Sequence, residues 1–333
     1  MSYGIQAEGL VKRFGQTTAL AGVDLAVRTG AVLGVLGPNG AGKTTAVRIL
    51  ATLLKPDAGH ARVGGFDVVK DAARVRRLVG LTGQYASVDE ELTGVQNLVL
   101  IGRLLDLSRP EAKRRARELI ERFGLVDAGK RLAGTYSGGM RRRLDLAASL
   151  VGRPKVLYLD EPTTGLDPRS RADVWTMVRA LVEDGTTVLL TTQYLEEADQ
   201  LADQIAVIDH GRVVASGTGD ELRAQVGGQT LDLWPIDPAE VPAAAAILAG
   251  LTGKEPVRLN DGTRLAVPVD DDPDVLSAAV QQLAQAGIAA RELALRLPSL
   301  DEVFLALTGH PAEEEDDSAA PVKEGTIKEG SPA

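Results

Sequence analysis

Short apolar runs alternate with longer amphipathic stretches through the first half of the chain, which is the pattern of an α/β protein. Four runs are apolar nearly throughout, as expected for strands of a parallel sheet that is covered on both faces. These predicted strands are residues 32–36, 79–82, 156–159 and 187–192. Apolar and polar positions alternate in residues 5–10 and 23–27, which predicts an antiparallel β layer at the edge of the core.

The strand pattern stops between Thr93 and Val151. Three segments in this interval, 95–107, 111–123 and 139–150, instead have apolar residues at helical spacing. The sequence therefore predicts a helical insertion, at about residues 90–151, that interrupts the α/β core.

The composition changes near Val226-Gly227-Gly228, and a second pattern follows. It predicts strands at 231–234, 257–259, 265–269 and 291–297 and helices at 239–251 and 273–286, with Asn260-Asp261-Gly262 as a hairpin turn. This β-α-β-β-α-β order is typical of a small α+β, ferredoxin-like C-terminal domain. Ser299 is placed to cap a last helix that runs to Leu307. The expected units are residues 1–226, 227–310 and a disordered acidic tail, 311–333, with too few apolar residues to fold.

Composition narrows the chemistry that the chain can perform. Its 333 residues favour two domains over one. Cysteine is absent, which excludes disulfides, cysteine–zinc sites, iron–sulfur clusters and thiol nucleophiles. The three histidines, His60, His210 and His310, are scattered, which argues against a histidine metal site or a Ser–His triad.

Charge and hydropathy bear on partners and location. The formal net charge is −9, and the tail contributes −5 of it through seven acidic residues and two lysines. The remaining body is near neutral, so nucleic acid and anionic lipid are not expected as partners. No apolar run has the length of a membrane span, and residues 1–6 lack the pattern of a signal peptide. We expect a cytosolic protein that reaches a membrane only through a protein partner.

A glycine-rich loop follows the first buried strand. Its sequence, Gly37-Pro38-Asn39-Gly40-Ala41-Gly42-Lys43-Thr44, has the form G-x-x-x-x-G-K-[ST] of a phosphate-binding loop. The glycines allow backbone N–H groups to converge on an anion at the start of the next helix. Lys43 would reach the β- and γ-phosphates, and the Thr44 hydroxyl would hold Mg²⁺. A chance loop would have to fill every fixed position between a strand and a helix.

The strand at 156–159 leads into two acidic residues, Asp160 and Glu161. Successive side chains of a strand point in opposite directions, so the two carboxylates can perform different tasks. We assign Asp160 to Mg²⁺ and Glu161 to polarising the attacking water. Taken alone, two acids that end a strand would be the commoner interpretation, and the phosphate loop makes the functional one stronger.

A second helix start with anion-binding character is Tyr136-Ser137-Gly138-Gly139-Met140, which precedes an arginine-rich stretch. In isolation this segment would be interpreted as an ordinary serine-capped helix.

Candidate residues also share a position relative to the predicted strands. Gly37, Gln84, Asp160 and Gln193 each lie just past the end of a buried strand. Ligands of open parallel sheets bind at the carboxyl edge of the strands. The four segments are therefore expected to meet at one site.

These motifs, followed by Gly165-Leu166-Asp167, resemble in type and order the Walker A, signature, Walker B and D-loop segments of ABC ATPases. The resemblance covers about residues 2–225 and implies a P-loop NTPase of ABC type that uses ATP and Mg²⁺. It also implies a head-to-tail homodimer, in which Ser137, Gly138 and Gly139 of one chain cover the γ-phosphate held by Lys43 of the other. The nucleotide-binding set that the resemblance implies further includes Thr45, Met140 and Asp167.

Three more positions follow from the resemblance. Gln84 matches the glutamine that senses Mg²⁺ and the membrane partner. Phe14 matches the aromatic residue that stacks on adenine, although a core aromatic residue is an equally good interpretation. Gln193 stands where most members have histidine. Its amide can donate to the γ-phosphate but cannot become cationic, which leaves Glu161 as the expected catalytic base.

A narrower resemblance extends into the C-terminal part. Segments 82–89, 191–199 and 298–305 are similar to those of the daunorubicin/doxorubicin-resistance exporters. This implies ATP-driven export of a hydrophobic drug, polyketide or lipid through a separate transmembrane permease, with this chain at the cytoplasmic side of the cell membrane.

Two alternatives stay open at this point. An ABC ATPase without a permease, in ribosome protection or DNA repair, would usually have tandem units or a long coiled-coil insertion. A non-hydrolysing nucleotide sensor would have Gln193 as its mark. The basic stretches 113–115 and 141–143 are interpreted as solvated helix faces and not as nucleic-acid contacts.

Overall fold

The computed structural model describes residues 2–83, 88–226, 229–259, 262–269 and 274–308. Within these ranges the strands are β1 (Tyr3–Phe14), β2 (Thr17–Arg28), β3 (Val32–Leu36), β4 (Ala58–Val63), β5 (Phe66–Asp67), β6 (Val79–Thr82), β7 (Val156–Asp160), β8 (Thr187–Thr192), β9 (Gln204–Asp209), β10 (Arg212–Gly217), β11 (Thr230–Pro235), β12 (Val257–Leu259), β13 (Arg264–Pro268) and β14 (Ala290–Arg296). The α-helices are α1 (Lys43–Leu50), α2 (Ala72–Leu78), α3 (Gly94–Leu104), α4 (Arg109–Arg122), α5 (Gly138–Ser149), α6 (Pro168–Glu183), α7 (Leu195–Leu201), α8 (Gly219–Val226), α9 (Val241–Thr252), α10 (Val275–Gln285) and α11 (Leu300–Thr308).

The central sheet has the strand order β10-β9-β3-β8-β7-β6. The four predicted buried strands are all present in it, as the parallel neighbours β3, β8, β7 and β6. Their apolar runs are continuous because both faces of the sheet are covered. Leu157 and Leu159 of β7 pack into the core on one face, while Val156 and Tyr158 pack into the core on the other.

The predicted antiparallel layer is confirmed as a second sheet, with the order β2-β1-β4-β5. Its alternating pattern reflects one buried face, since Ile5, Leu10 and Val23 are fully buried. These side chains share a core with Val47 and Leu50 of α1. The layer therefore covers the phosphate-loop helix from one side.

The helical insertion is also confirmed, and it contains α3, α4 and α5. Both α3 and α4 begin with a capping box, formed by Thr93 with Gln96 and by Ser108 with Glu111. The amphipathic faces meet the core that covers one side of the central sheet.

The C-terminal part contains a four-stranded antiparallel sheet with the order β12-β13-β11-β14. Helices α9 and α10 bury Leu248 and Leu283 in the same core as Leu231 and Leu233 of β11. The described elements follow the predicted β-α-β-β-α-β order, and the ferredoxin-like domain itself stays a prediction. The predicted turn residues Asn260 and Asp261, the break at Gly227-Gly228 and the acidic tail lie outside the described residues, and the domain boundaries stay a prediction.

The last helix, α11, packs away from this small sheet. Ser299 caps it as predicted, since the Ser299 hydroxyl accepts the Glu302 N–H at 3.2 Å. Val303 and Phe304 are buried in a core with Leu195 of α7 and Leu222 of α8. The chain thus returns from the C-terminal sheet to the part that carries the phosphate loop. None of the described helices has the length and apolarity needed to span a membrane.

Candidate functional site

Candidate residues from separate segments gather at one edge of the central sheet. Because β3, β8, β7 and β6 are parallel neighbours, their carboxyl ends lie side by side. This places Gly37, Asp160 and Gln193 next to one another along that edge, as the sequence predicts. Gln84, which follows β6, lies outside the described residues.

The phosphate loop, residues 37–44, connects β3 to α1. Gly42 has a φ of +110°, and a Cβ at this position would lie 2.5 Å from the Ala19 carbonyl oxygen, so a side chain would not fit. The Lys43 ammonium donates to the carbonyl oxygens of Gly37 at 2.6 Å and Pro38 at 3.1 Å. The side chain is only 4% exposed, and these two hydrogen bonds hold the ammonium group against the loop.

Oxygen donors suited to a divalent cation face each other across the start of α1. The Thr44 hydroxyl lies 3.2 Å from Asp160 Oδ1, and the Thr191 hydroxyl donates to the same oxygen. Hydroxyl and carboxylate oxygens are ligands that Mg²⁺ prefers, so the donor set fits this ion. Thr191 is a contact that sequence reasoning missed. Its signal is a pair of hydroxyl residues, Thr191 and Thr192, at the carboxyl end of a buried strand.

Glu161 occupies a constrained position beside the phosphate loop. Its φ is +49°, in the left-handed region that a non-glycine residue enters at a cost of about 1–3 kcal/mol. Its N–H donates to the Thr191 carbonyl oxygen at 3.0 Å. Its Oε1 lies 3.9 Å from Lys43 Nζ, and the residue is 9% exposed. The Glu161 carboxylate therefore lies beside the Lys43 ammonium, whereas the Asp160 carboxylate faces the hydroxyl groups of Thr44 and Thr191.

The Ser137 segment begins α5, as predicted. Ser137 is the N-cap residue, and its hydroxyl accepts the Met140 N–H at 3.3 Å. A Cβ on Gly139 would lie 2.5 Å from the Ser170 hydroxyl oxygen, which explains the small residue there. Asp167 caps α6, and the hydroxyl and N–H of Ser170 hold the pKa of the Asp167 carboxyl below its usual range. The two helix starts therefore lie against each other.

Phe14 lies at the tip of the β1–β2 hairpin, and its side chain is not part of a core. The residue is 48% exposed, and the Lys12 ammonium lies 5.6 Å from the centroid of its ring. Of the two interpretations of this residue, the core aromatic is therefore wrong. The exposed ring is free to stack on a planar ligand.

Gln193 follows β8 and begins the connection to α7. Its Oε1 is buried and has no hydrogen-bond partner among the residues that the structure describes. A buried amide oxygen without a partner is costly, which is consistent with a position that meets a ligand or a bound water.

The expectation of solvated helix faces at residues 113–115 and 141–143 is wrong at Arg115 and at Arg142, whose side chains are each 12% exposed. The Arg142 guanidinium donates to the Pro162 carbonyl oxygen at 2.5 Å and to the Gly83 carbonyl oxygen at 3.1 Å. The pattern of charges along α5 could not reveal this, because both partners come from distant segments.

Comparison with known proteins places this site in a family. Residues 20–164 match the family model described as "ABC transporter". The chain is 58% identical over 306 residues to a daunorubicin resistance ATP-binding protein of Streptomyces coeruleorubidus, covering 92% of this chain and 96% of the relative. It is 50% identical over 301 residues to a doxorubicin resistance ATP-binding protein of Mycobacterium tuberculosis, covering 90% and 91%.

Solved structures agree with the sequence relatives. The chain is similar to cbiO1 of Clostridium perfringens, which is part of an ABC transporter complex, with a TM-score of 0.63 and 26% identity over 68% of this chain and 92% of that one. It is also similar to an ATP-binding cassette of an ABC transporter in its ADP conformation, with a TM-score of 0.60 and 27% identity over 66% and 93%.

Proposed function

The chain belongs to the ATP-binding subunits of ABC transporters, and on that premise we propose that it energises export of a hydrophobic drug, polyketide or lipid through a separate membrane permease. The observation that carries the proposal is the meeting of Lys43, Thr44, Asp160 and Glu161 at one sheet edge. The protein hydrolyses ATP at this edge, in a head-to-tail homodimer on the cytoplasmic side of the membrane. The names of the two relatives support a drug as the cargo class.

The chain's own groups account for the hydrolytic step. The Lys43 ammonium and the backbone N–H groups of the loop hold the β- and γ-phosphates and offset their charge. The Glu161 carboxylate orients the attacking water and accepts its proton as the γ-phosphoryl group is transferred. The Gln193 amide donates to a γ-phosphate oxygen, a role that needs no proton transfer.

Mg²⁺ is the cation that the site is suited to hold. The Thr44 hydroxyl and the Asp160 carboxylate are its proposed ligands, together with Gln84, which lies outside the described residues. When bound, the ion neutralises charge that develops on the phosphate oxygens. Its remaining ligands would be phosphate oxygens and water, so a cluster of several carboxylates is not required.

The partner subunit completes each site in this proposal. Ser137, Gly138 and Gly139 begin α5 with their N–H groups available to an anion. In the homodimer they would cover the γ-phosphate held by Lys43 of the other chain. Asp167, which caps the adjacent helix, would lie at the same interface.

Two alternatives to a transporter ATPase, a permease-free ATPase and a non-hydrolysing nucleotide sensor, are less well supported. The relatives are named as resistance ATP-binding proteins, which favours a transporter over a permease-free ATPase. Glu161 and Lys43 are both placed for hydrolysis, which favours an enzyme over a nucleotide sensor despite Gln193.

Export is tested with daunorubicin as the probe. Cells that express this chain together with a multi-span ABC permease from the same genome should accumulate less daunorubicin than cells that express that permease alone. The reason is that transport requires the ATP-driven closure of two copies of this chain. The same pair carrying Lys43→Ala should accumulate as much as the permease-only cells. Equal accumulation with the wild-type and Lys43→Ala chains would contradict the export proposal for this probe.

Stacking on adenine is tested at Phe14. Replacing Phe14 with Ala should weaken ATP binding by about 1–3 kcal/mol, because base–aromatic stacking has about that magnitude. The thermal stability should hardly change, since the ring is exposed. Calorimetric titration with ATP measures the affinity, and Phe14→Tyr should restore it. An affinity that is unaffected by Phe14→Ala would remove this residue from the site.

A further inference from the structure

Arg142 lies in α5, the helix that begins at the proposed γ-phosphate cover. Its guanidinium bonds to two backbone carbonyl groups from separate segments. The Nε group donates to Pro162 O at 2.5 Å, and Nη1 donates to Gly83 O at 3.1 Å. Pro162 directly follows Glu161, and Gly83 directly precedes Gln84. One side chain therefore joins α5 to the two segments that carry the proposed base and the proposed Mg²⁺ sensor.

Negative charge surrounds this guanidinium. Asp145, one turn along α5 and 1% exposed, lies 3.4 Å from Nη1. Burial lowers the pKa of Arg142, and the charges of Asp145, Glu197 and Asp160 oppose that shift. Arginine stays protonated in such a setting because its pKa starts so high. The cation is thus buried and compensated, as a fixed structural charge must be.

Glu197 connects the same cluster to the helix that follows Gln193. It is fully buried in α7, where it accepts a hydrogen bond from Trp175 Nε1 at 3.3 Å. Burial raises the pKa of Glu197, and the hydrogen bond from Trp175 and the charge of Arg142 are among the causes that oppose this shift. The segment that carries Glu161 and the segment that ends at Gly83 therefore meet at Arg142 through direct hydrogen bonds.

We propose that Arg142 is a positioning residue that couples the two ATP sites of the dimer. This inference rests on the proposed function. Glu161 and Gln193 of one chain belong to the site that its own Lys43 builds. Ser137 of the same chain belongs to the site built by the partner subunit's Lys43. Arg142 holds the Ser137 helix in register with the segment of Glu161 and the segment that ends at Gly83, so a shift at one site moves a ligand-covering group of the other.

The geometry of the contacts requires arginine. A planar guanidinium can direct separate N–H groups at two carbonyl oxygens, whereas a lysine ammonium acts as a point charge on a flexible stem. Arg142→Lys therefore keeps the charge that Asp145 and Glu197 need and removes the fixed link. Arg115 provides a matched control, because its side chain is also 12% exposed and pairs with a residue one turn along its helix, Glu118.

The Arg115 contacts lie at the opposite edge of the sheet. Its Nη2 donates to Leu150 O at 2.7 Å, and Leu150 is the C-cap residue of α5, so Arg115 holds the far end of the same helix. Arg115→Lys thus perturbs a comparable buried arginine without touching the nucleotide edge. The two variants separate a general loss of packing from a loss of coupling.

The test measures the rate of ATP hydrolysis against ATP concentration with the full-length purified chain. Wild type should have a Hill coefficient above one, with two sites setting the upper limit. Arg142→Lys should lower kcat by about 10- to 100-fold, the size expected when reacting groups are misplaced by about 1 Å. Its Hill coefficient should fall to one, while equilibrium ATP affinity stays the same. Arg115→Lys should lower the melting temperature comparably and keep the Hill coefficient of wild type.

A wild-type Hill coefficient of one, or wild-type cooperativity in Arg142→Lys, would overturn the coupling role. If Arg142→Lys does not fold, Arg142→Gln is the second variant, because it keeps a donor for one of the two carbonyl groups. Arg142→Gln should also lose cooperativity. Full cooperativity in Arg142→Gln would overturn the coupling role. A wild-type chain that neither hydrolyses ATP nor dimerises would instead contradict the proposed function.

Discussion

In the Glu161→Gln variant, steady-state ATP hydrolysis falls by about 10²–10⁴-fold while ATP binding is retained. An amide has the shape of the carboxylate but cannot accept the proton of the attacking water at neutral pH. Since Glu161 Oε1 is 3.9 Å from Lys43 Nζ and does not share the Thr44 contact, the phosphate-holding groups keep their places. The variant should therefore accumulate as an ATP-bound dimer.

Two measurements check this expectation. A phosphate-release assay gives the rate, and sedimentation with and without MgATP gives the mass. Glu196→Gln is the matched control, because Glu196 lies on α7 beyond Gln193 with its side chain 68% exposed. It should hydrolyse ATP at the wild-type rate. Near-normal turnover in Glu161→Gln would exclude this residue as the base.

Lys43→Ala should abolish tight ATP binding, with an affinity loss of about 10- to 100-fold or more. The ammonium is 4% exposed at the mouth of the loop and would exchange its bonds to Gly37 O and Pro38 O for bonds to phosphate oxygens. Hydrogen bonds to charged groups contribute about 1.5–3 kcal/mol each, and Lys43 can make more than one.

Titration of fluorescently labelled ATP measures this affinity. Lys155→Ala is the control, because Lys155 is exposed and precedes β7 at the edge away from the loop. A melting curve without nucleotide shows whether Lys43→Ala is folded. Wild-type affinity in a folded Lys43→Ala chain would place the nucleotide elsewhere.

The edge residues could be predicted from the sequence because their signals are local. A buried strand is a nearly continuous apolar run, so its last residue can be located to within one position, as for Leu36. In a parallel sheet, the residues just after each strand then lie at a common edge. Glu161 needed more, because the alternation of side chains separates it from Asp160 but only the phosphate loop made a functional role the stronger interpretation.

Contacts between distant segments could not be predicted in the same way. Nothing near Arg142 in the sequence indicates that its guanidinium reaches Pro162 and Gly83, and a run of three arginines favours an exposed face. Phe304 is similar, because the amphipathic pattern of α11 predicts a buried face but not that this face packs on α7 and α8. Such contacts depend on how the elements are assembled, which single-segment patterns do not encode.

Gln193 shows where sequence and structure have to be combined. The sequence indicates only that the side chain cannot carry a charge near neutral pH. The structure adds a buried Oε1 with no partner among the described residues, at the end of β8. The unpartnered Oε1 can only accept a hydrogen bond, for instance from a water, so the proposed donation to the γ-phosphate comes from the amide NH2 group, and proton acceptance is left to Glu161.

The position of the partner subunit's Ser137 in the ATP-bound state decides whether two chains share each ATP site. A structure of the Glu161→Gln chain with MgATP measures this position. We predict a closed dimer with the triphosphate at Lys43 and the partner subunit's Ser137 within hydrogen-bond distance of the γ-phosphate. A closed dimer that holds ATP elsewhere, or one in which the partner subunit's Ser137 is distant from every phosphate, would contradict the shared site.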